Sequence, residues 1–443
     1  MAACLALAIP LGGGALLYAW HPAIPPLASS APAGFDPDLV RRGADLALIG
    51  DCRTCHTAPG GKTFAGGLAM PTPFGTIYST NITPDAETGI GLWSETAFAR
   101  AMREGVDREG RNLYPAFPYD HFTHIENGDV EALYAFFMTR QPVTSRPPPN
   151  DLPFPINVRL VLAGWKLLFL KERHLEPDPT RDAAWNRGRY LVEGLGHCGA
   201  CHTPRNVAGA EEASRAMQGG EAEGWHAYAL GAASRAPVAW SEDAMTRYLV
   251  DGFDPMHGVA RGPMGPVAEN LASVPRGEAA AMARYITSFG ASSSPEVGPA
   301  NFPVDKIDGP GREPQSAGSQ AAVPAVSGSE GAQLYAAACA SCHESGRPLP
   351  FGGISLSLST AVAGESPENL VNIILEGLPA TGGGARPVMP GFAASLGDAD
   401  VLALANYLRA RFGHEPAWTN LVAAVRDSRQ RRLEVRPIVQ AKD

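Results

Sequence analysis

Cys52-Arg53-Thr54-Cys55-His56, Cys198-Gly199-Ala200-Cys201-His202 and Cys339-Ala340-Ser341-Cys342-His343 are three copies of one pattern, a spaced cysteine pair with histidine directly behind it. At this spacing one short helical turn presents both thiols to the two vinyl groups of a haem and places the next residue, histidine, under the iron as proximal ligand. Read this way, Cys52, Cys55, Cys198, Cys201, Cys339 and Cys342 attach three haem c groups, and His56, His202 and His343 bind their irons. The rival chemistries fit less well. A structural zinc site takes about four ligands, usually from two paired motifs, and three motifs each ending in histidine do not match that arithmetic. A thioredoxin-like redox pair would occur once, near a βαβ pattern.

The chain has 443 residues, beyond the ~100–200 expected of one domain, and the even placement of the motifs divides it into three units with one haem each. A short helix is expected ahead of each motif (36–49, 183–193 and 329–338), carrying Gly43, Gly188 and Gly331. A second, with an apolar stripe at helical period, is expected at the end of each unit (127–140, 277–289 and 397–412), carrying Tyr134, Tyr285 and Tyr407. The glycine lets the two helices cross closely, and the ring fills the crossing. The fold class is therefore mostly α: three tandem class I cytochrome c domains, each wrapped around one covalently bound haem. The expected boundaries are 35–144, 183–290 and 329–415. Connectors occupy 145–182 and 291–328, and 416–443 is a charged tail, expected to be extended from Arg426 on.

Residues 1–20 are almost wholly apolar and run into a proline-rich stretch, so 1–34 reads as a secretory signal or a single membrane anchor. The aromatic pair Tyr18 and Trp20 at its polar edge favours the anchor. Covalent haem attachment occurs outside the bacterial cytoplasmic membrane, which places the body in the periplasm, on that membrane's outer face. Cys4, the seventh cysteine, reads as one more small apolar residue of this segment. The first connector holds an apolar piece, 160–170, with Trp165 and Phe169. It is too short to span a bilayer and reads as an inter-domain packing helix or as a docking surface. The second connector is rich in Ser, Gly, Pro and Ala, the composition of a flexible tether, and leaves the third domain mobile relative to the first two. Net charge is −9, with 36 basic against 45 acidic residues, and no basic block suggests a nucleic-acid partner.

Sixth ligands decide the redox behaviour, because a His–Met iron has a raised potential. They are sought in the loop before each unit's last helix. Met389, in Pro387-Val388-Met389-Pro390-Gly391-Phe392, is expected to bind the third iron. Met264, in Gly262-Pro263-Met264-Gly265-Pro266, is expected to bind the second, with Met256 as a nearby competitor. The matching place in the first unit is Phe117, which cannot bind iron. His121 is the favoured replacement; His124, Met70 or an open five-coordinate iron are the other outcomes. An open iron would support a rival reading, a peroxidase-like haem enzyme. The stretch 78–83 (Tyr-Ser-Thr-Asn-Ile-Thr) offers groups for haem propionates or for an ordinary turn.

Residues 72–85 (TPFGTIYSTNITPD), 114–119 (YPAFPY), 185–188 (WNRG) and 196–204 (GHCGACHTP) resemble the triheme cytochrome c subunits of periplasmic, membrane-associated bacterial dehydrogenases. The resemblance extends from Phe35 to about Phe412. It implies a non-catalytic electron-transfer subunit that serves a dehydrogenase and passes electrons to quinone or a terminal oxidase. In the alcohol dehydrogenase branch the partner is a quinoprotein, and that branch usually has Met where this chain has Phe117. The stretch Phe117-Pro118-Tyr119-Asp120-His121 and the segment Pro416-Ala417-Trp418 are more similar to the cytochrome subunits that accompany molybdenum hydroxylases of the nicotinate dehydrogenase and isoquinoline oxidoreductase type. There the partner holds a molybdopterin, and an iron–sulfur subunit relays its electrons. The chain carries no glycine fingerprint for a nucleotide and no nucleophile–base constellation.

Overall fold

The computed structural model describes residues 19–29, 34–290, 329–350, 352–379 and 387–434. The second connector and most of the N-terminal segment lie outside the described residues, as does Arg386. Among the described residues the chain is mostly helical, with seventeen α-helices and three two-stranded antiparallel hairpins. No described helix is long and apolar enough to cross a membrane.

Around the first motif lie α1 (Pro37–Ile49), α2 (Cys52–Cys55), the hairpin β1–β2 (Ala69–Thr72 and Gly75–Tyr78), α3 (Glu95–Glu104), α4 (Tyr119–Phe122) and α5 (Asn127–Met138). The first connector forms α6 (Val161–Phe169). Around the second motif come α7 (Ala183–Glu193), α8 (Gly199–His202), β3–β4 (Gly220–Ala222 and Trp225–Ala227), α9 (Glu242–Asp251), β5–β6 (Phe253–Asp254 and Gly258–Val259), α10 (Met264–Leu271) and α11 (Arg276–Thr287). The third set is α12 (Glu330–Ala338), α13 (Ala340–His343), α14 (Thr360–Ala363), α15 (Glu368–Glu376) and α16 (Asp398–Leu408), followed by α17 (Leu421–Glu434). These elements gather into two compact units, Met1–Ala216 with Pro266–Tyr285, and Met217–Gly265 with Ile286–Asp443.

In the first unit α1 crosses α5 and α7 crosses α11; in the second, α12 crosses α16. Each crossing is made at backbone contact through a glycine. A Cβ built on Gly43 would stand 1.9 Å from the carbonyl oxygen of Ala132, one on Gly188 1.9 Å from that of Ala281, and one on Gly331 2.3 Å from that of Ala403. Only hydrogen fits there. One helical turn beyond each carbonyl an aromatic ring closes the crossing: Phe136, Tyr285 and Tyr407. The first of these differs from the expected Tyr134, which instead points away and donates its hydroxyl to the Trp93 carbonyl at 2.8 Å.

Helix starts follow their caps. Asp36, Asp182 and Ser329 each accept a hydrogen bond from the first turn of α1, α7 and α12, satisfying one of the amides that a helix leaves open. Ser94 and Ser241 do the same for α3 and α9, within a repeated Trp-Ser-Glu-x-Ala pattern at 93–97 and 240–244. The helices α3, α9 and α15 end on glycines of positive φ, Gly105, Gly252 and Gly377.

The tail differs from expectation. Residues 421–434 form α17, so the tail from Arg426 to Glu434 is helical rather than extended; Leu421, Ala424, Val425 and Ser428 repeat at helical spacing and are buried. The first three join Tyr335, Leu370, Val371, Leu375, Leu404 and Leu408 in one core. Trp418 donates to the Gly364 carbonyl at 3.1 Å, and the Arg409 guanidinium lies over its ring. The second unit also holds more than the third motif's elements. Asn369 of α15 takes the backbone N–H of His226 in β4 at 2.9 Å and donates to its carbonyl at 2.8 Å, as a neighbouring strand would. Asn372 donates to the Gly224 carbonyl at 2.9 Å.

Candidate functional site

Each motif is a single helical turn hung directly behind its crossing helix, so the cysteines and histidine inherit the rigidity of that pair. The imidazole of His56 is half-buried, and desolvation lowers its pKa, so the ring is neutral. Its Nδ1 donates to the carbonyl of Thr80 at 2.7 Å, which leaves the lone pair on Nε2. The same arrangement returns at His343, whose Nδ1 donates to the Ile354 carbonyl at 2.9 Å. A carbonyl partner on the far nitrogen fixes both tautomer and ring orientation, the usual support for a metal-binding histidine. His202 closes α8 and is buried.

The six motif cysteines form no disulfide. Burial pushes the Cys52 and Cys198 thiols up to about 12 and that of Cys339 to about 11. Thiols raised in this way are not ready thiolates in the protein alone. The hydroxyl of Tyr119 is buried with no hydrogen-bond partner among the described residues, while the paired cysteines stand beside carbonyl-anchored histidines at His56 and His343. The residues present therefore fit covalently held haem.

In the first unit the motifs are brought together. Leu195, three positions before Cys198, packs against Gly50, two positions before Cys52. Phe117 meets Phe122 edge-on with centroids 5.3 Å apart, and Phe122 meets His197, immediately before Cys198, at 5.6 Å. His121 stands against α8, beside Gly199. Its Nδ1 pairs with the Glu193 carbonyl at 2.8 Å and its Nε2 with the Glu211 carboxylate at 2.7 Å, so both ring nitrogens are occupied. Burial opposes the charged ring, but the Glu211 carboxylate overrides it and the pKa is raised to about 9. His124 is buried and neutral, with Nδ1 on the Arg173 carbonyl at 2.7 Å. Met70 lies half-buried in β1, paired with Ile77.

Met264 opens α10 and is half-buried. Met389 is half-buried and fixed through its backbone, which makes two hydrogen bonds with Leu378 at 2.8 and 3.0 Å. Gly377 is what lets that loop pass: its φ is +72°, and a Cβ there would stand 2.3 Å from the Met389 carbonyl oxygen. The stretch 78–83 spends its polar groups inside the protein. Asn81 donates to Thr88 and Val143 and accepts from Thr83, while the Ser79 hydroxyl accepts from the Leu68 amide. It builds the turn that delivers the Thr80 carbonyl to His56.

Several residues of this frame were not singled out from the sequence. Asp129, nearly fully buried, takes the Tyr190 hydroxyl at 2.8 Å and the Arg42 guanidinium. Lys166, on α6, gives its ammonium to the carbonyls of Glu104 and Gly105 and to Asn112, closing the C-terminus of α3 where a cation is favoured.

Comparison with known proteins agrees with this frame. The family described as cytochrome C oxidase, cbb3-type, subunit III matches residues 327–408. The gluconate 2-dehydrogenase cytochrome c subunit of Pantoea cypripedii is 38% identical over 394 residues, covering 85% of this chain and 86% of that one. The cytochrome c subunit of the quinone alcohol dehydrogenase of Gluconacetobacter polyoxogenes is 35% identical over 415 residues, covering 88% and 84%. A nicotinate dehydrogenase subunit of Pseudomonas putida is 44% identical over 420 residues, which is 93% of this chain but only 34% of that protein, so the chain spans about a third of its length. The chain belongs to the family of cytochrome c subunits of dehydrogenases.

Proposed function

We propose that this chain is a triheme electron-transfer subunit without a substrate pocket of its own. Its three tandem class I cytochrome c domains, 35–144, 183–290 and 329–415, each enclose one haem c. They pass electrons from a partner dehydrogenase to quinone or the respiratory chain at the periplasmic face of the cytoplasmic membrane. The observation that carries this reading is the carbonyl-anchored histidine behind a Cys-x-x-Cys turn, seen at His56 and again at His343. When bound, the haem groups supply a one-electron iron couple. The chain's part is to hold them: six cysteines would attach the rings, and His56, His202 and His343 would bind their irons. Met264 and Met389 would supply thioether ligands to the second and third, a ligand that raises the potential. His121 would have to give up Glu211 to reach an iron, so we assign it to that ion pair and leave His124 and Met70 as candidates for the first iron.

The Phe-Pro-Tyr-Asp-His stretch and the likeness to the nicotinate dehydrogenase protein favour a molybdopterin and iron–sulfur partner over a quinoprotein. The test is purification of the tagged full chain from native membranes in mild detergent, with haem counted per chain and co-purifying proteins identified by mass spectrometry. Three haems with a molybdopterin subunit and a small iron–sulfur protein are expected. A large quinoprotein would move the chain to the alcohol dehydrogenase branch. Fewer than three haems, or no stable partner in repeated preparations, would overturn the proposal.

A further inference from the structure

The helix α6 is inverted for a helix in water. Its lysine, Lys166, is only 5% exposed and bonded three times within the protein, while Leu167 and Leu168 are 66% and 71% exposed. Leu160 and Val161 lie two turns earlier on the same face and are about half exposed, with Gly164 between the two pairs and open space above it. Ahead of the helix Val158 and Phe154 are exposed as well, Phe154 to 82%. The inward face is well used: Leu162 and Ala163 are buried, and the Trp165 indole N–H donates to the Ala208 carbonyl. The outward leucines are therefore surplus to internal packing, and a contiguous apolar face of this kind marks a surface that meets something other than water.

What meets it is indicated by the chain's other apolar segment. Trp20, 67% exposed, and Ala19 line one wall of a cavity whose other lining includes Leu160, Arg159 and Arg111. Immediately before them stand residues 1–18, which contain no charged side chain. An uncharged, largely apolar stretch of about that many residues is of the kind that a bilayer's hydrocarbon core accepts. Trp20 is the residue type that settles at the lipid boundary.

We propose that the face formed by Leu160, Val161, Leu167, Leu168, Phe154 and Trp20 is seated in the lipid–water boundary of a bilayer. It is a second point of attachment beside the N-terminal segment, of the in-plane kind that strengthens a single anchor. The inference rests on the membrane location given under Proposed function and adds the surface that does the docking.

The full haem-loaded chain is reconstituted in vesicles of phosphatidylcholine and phosphatidylglycerol that contain a phosphatidylcholine with an acyl-chain diazirine. After illumination, adducts are mapped by peptide mass spectrometry. Adducts on the tryptic peptides 160–166 and 167–171 are expected. The double variant L167E/L168E should lose them while keeping its haem absorption and its adducts within 1–18. Adducts confined to 1–18 in the unchanged chain would overturn the docking face and leave the membrane location standing. Adducts nowhere would overturn both. Loss of the 160–171 adducts when the purified partner dehydrogenase is added would assign the face to a protein interface instead.

Discussion

Among individual side chains, the His121–Glu211 pair makes stability depend on pH. An unfolded histidine titrates near 6.5, whereas His121 in the fold is raised to about 9 by Glu211 against the opposing effect of burial. A base with a raised folded pKa contributes fully below the unfolded value, and its contribution is lost as pH rises through the folded one. The stability supplied by this pair should therefore be whole at pH 6 and decline between about 6.5 and 9. His197 does not mask the effect: burial lowers it to about 4, so its own influence, stability rising with pH, is confined to the range from 4 to 6.5. Glu211→Gln should cost on the order of 2–3 kcal/mol at pH 6 and much less at pH 9.5. Denaturant midpoints of both proteins at the two pH values check this, and an equal loss at both would sink it. A second prediction concerns iron. Met389→Leu should lower the midpoint potential of one haem and leave the others in place, read by potentiometric titration; three unmoved potentials would remove Met389 from the ligand set. The motif cysteines and histidines could be read from spacing alone, since their chemistry lies within five residues. The circumstances of His121 could not be read, because Glu211 is 90 positions away and nothing local announces it.

Among the helices, the glycine crossings carry the sharpest consequence. A Cβ on Gly43 would enter the Ala132 carbonyl of α5, and neither backbone can retreat without opening the crossing. Gly43→Ala should destabilise the protein by about 1–3 kcal/mol or more. Gly128, also in a helix but with open space around its Cβ position, supplies the control: Gly128→Ala should be neutral or gain up to about 1 kcal/mol. Urea midpoints of the two variants decide, and equal effects would refute the steric account. Of each crossing pair, the second helix was legible from its apolar residues and the first from its glycine and the motif directly behind it. The helices α3 and α9 were not, since in α3 Ala97, Phe98, Ala101 and Met102 make a sparse stripe among charges. Their signal was the repeated Trp-Ser-Glu-x-Ala cap, which needs the two copies to be laid side by side. The helix α17 was hidden for a different reason: arginines and other polar residues fill its second half, and only tertiary burial of Leu421 and Val425 selects the helix.

Over the full length of the chain, composition and packing point in different directions at the second connector. The Ser-, Gly-, Pro- and Ala-rich stretch 291–328 has the makings of a tether, and taken alone it would set the elements after it free. Packing adds a restraint that no composition can show. The helix α15 holds the hairpin β3–β4 through Asn369 and Asn372, and Arg261 reaches the Glu376 carboxylate and the Gly377 carbonyl, both at 3.2 Å. Elements that precede the connector are thus bonded to elements that follow it, inside one compact unit. A protease that cuts within 291–328 should therefore yield two fragments that migrate together on a native gel and part only under denaturation. Replacing Asn369 and Asn372 together by Ala removes the strand-like bonds, each worth about 0.5–1.5 kcal/mol net, and should make the clipped fragments separate at lower denaturant. Fragments that part at once after cutting, in the unchanged chain, would show that the connector rather than this contact joins the third haem motif to the rest.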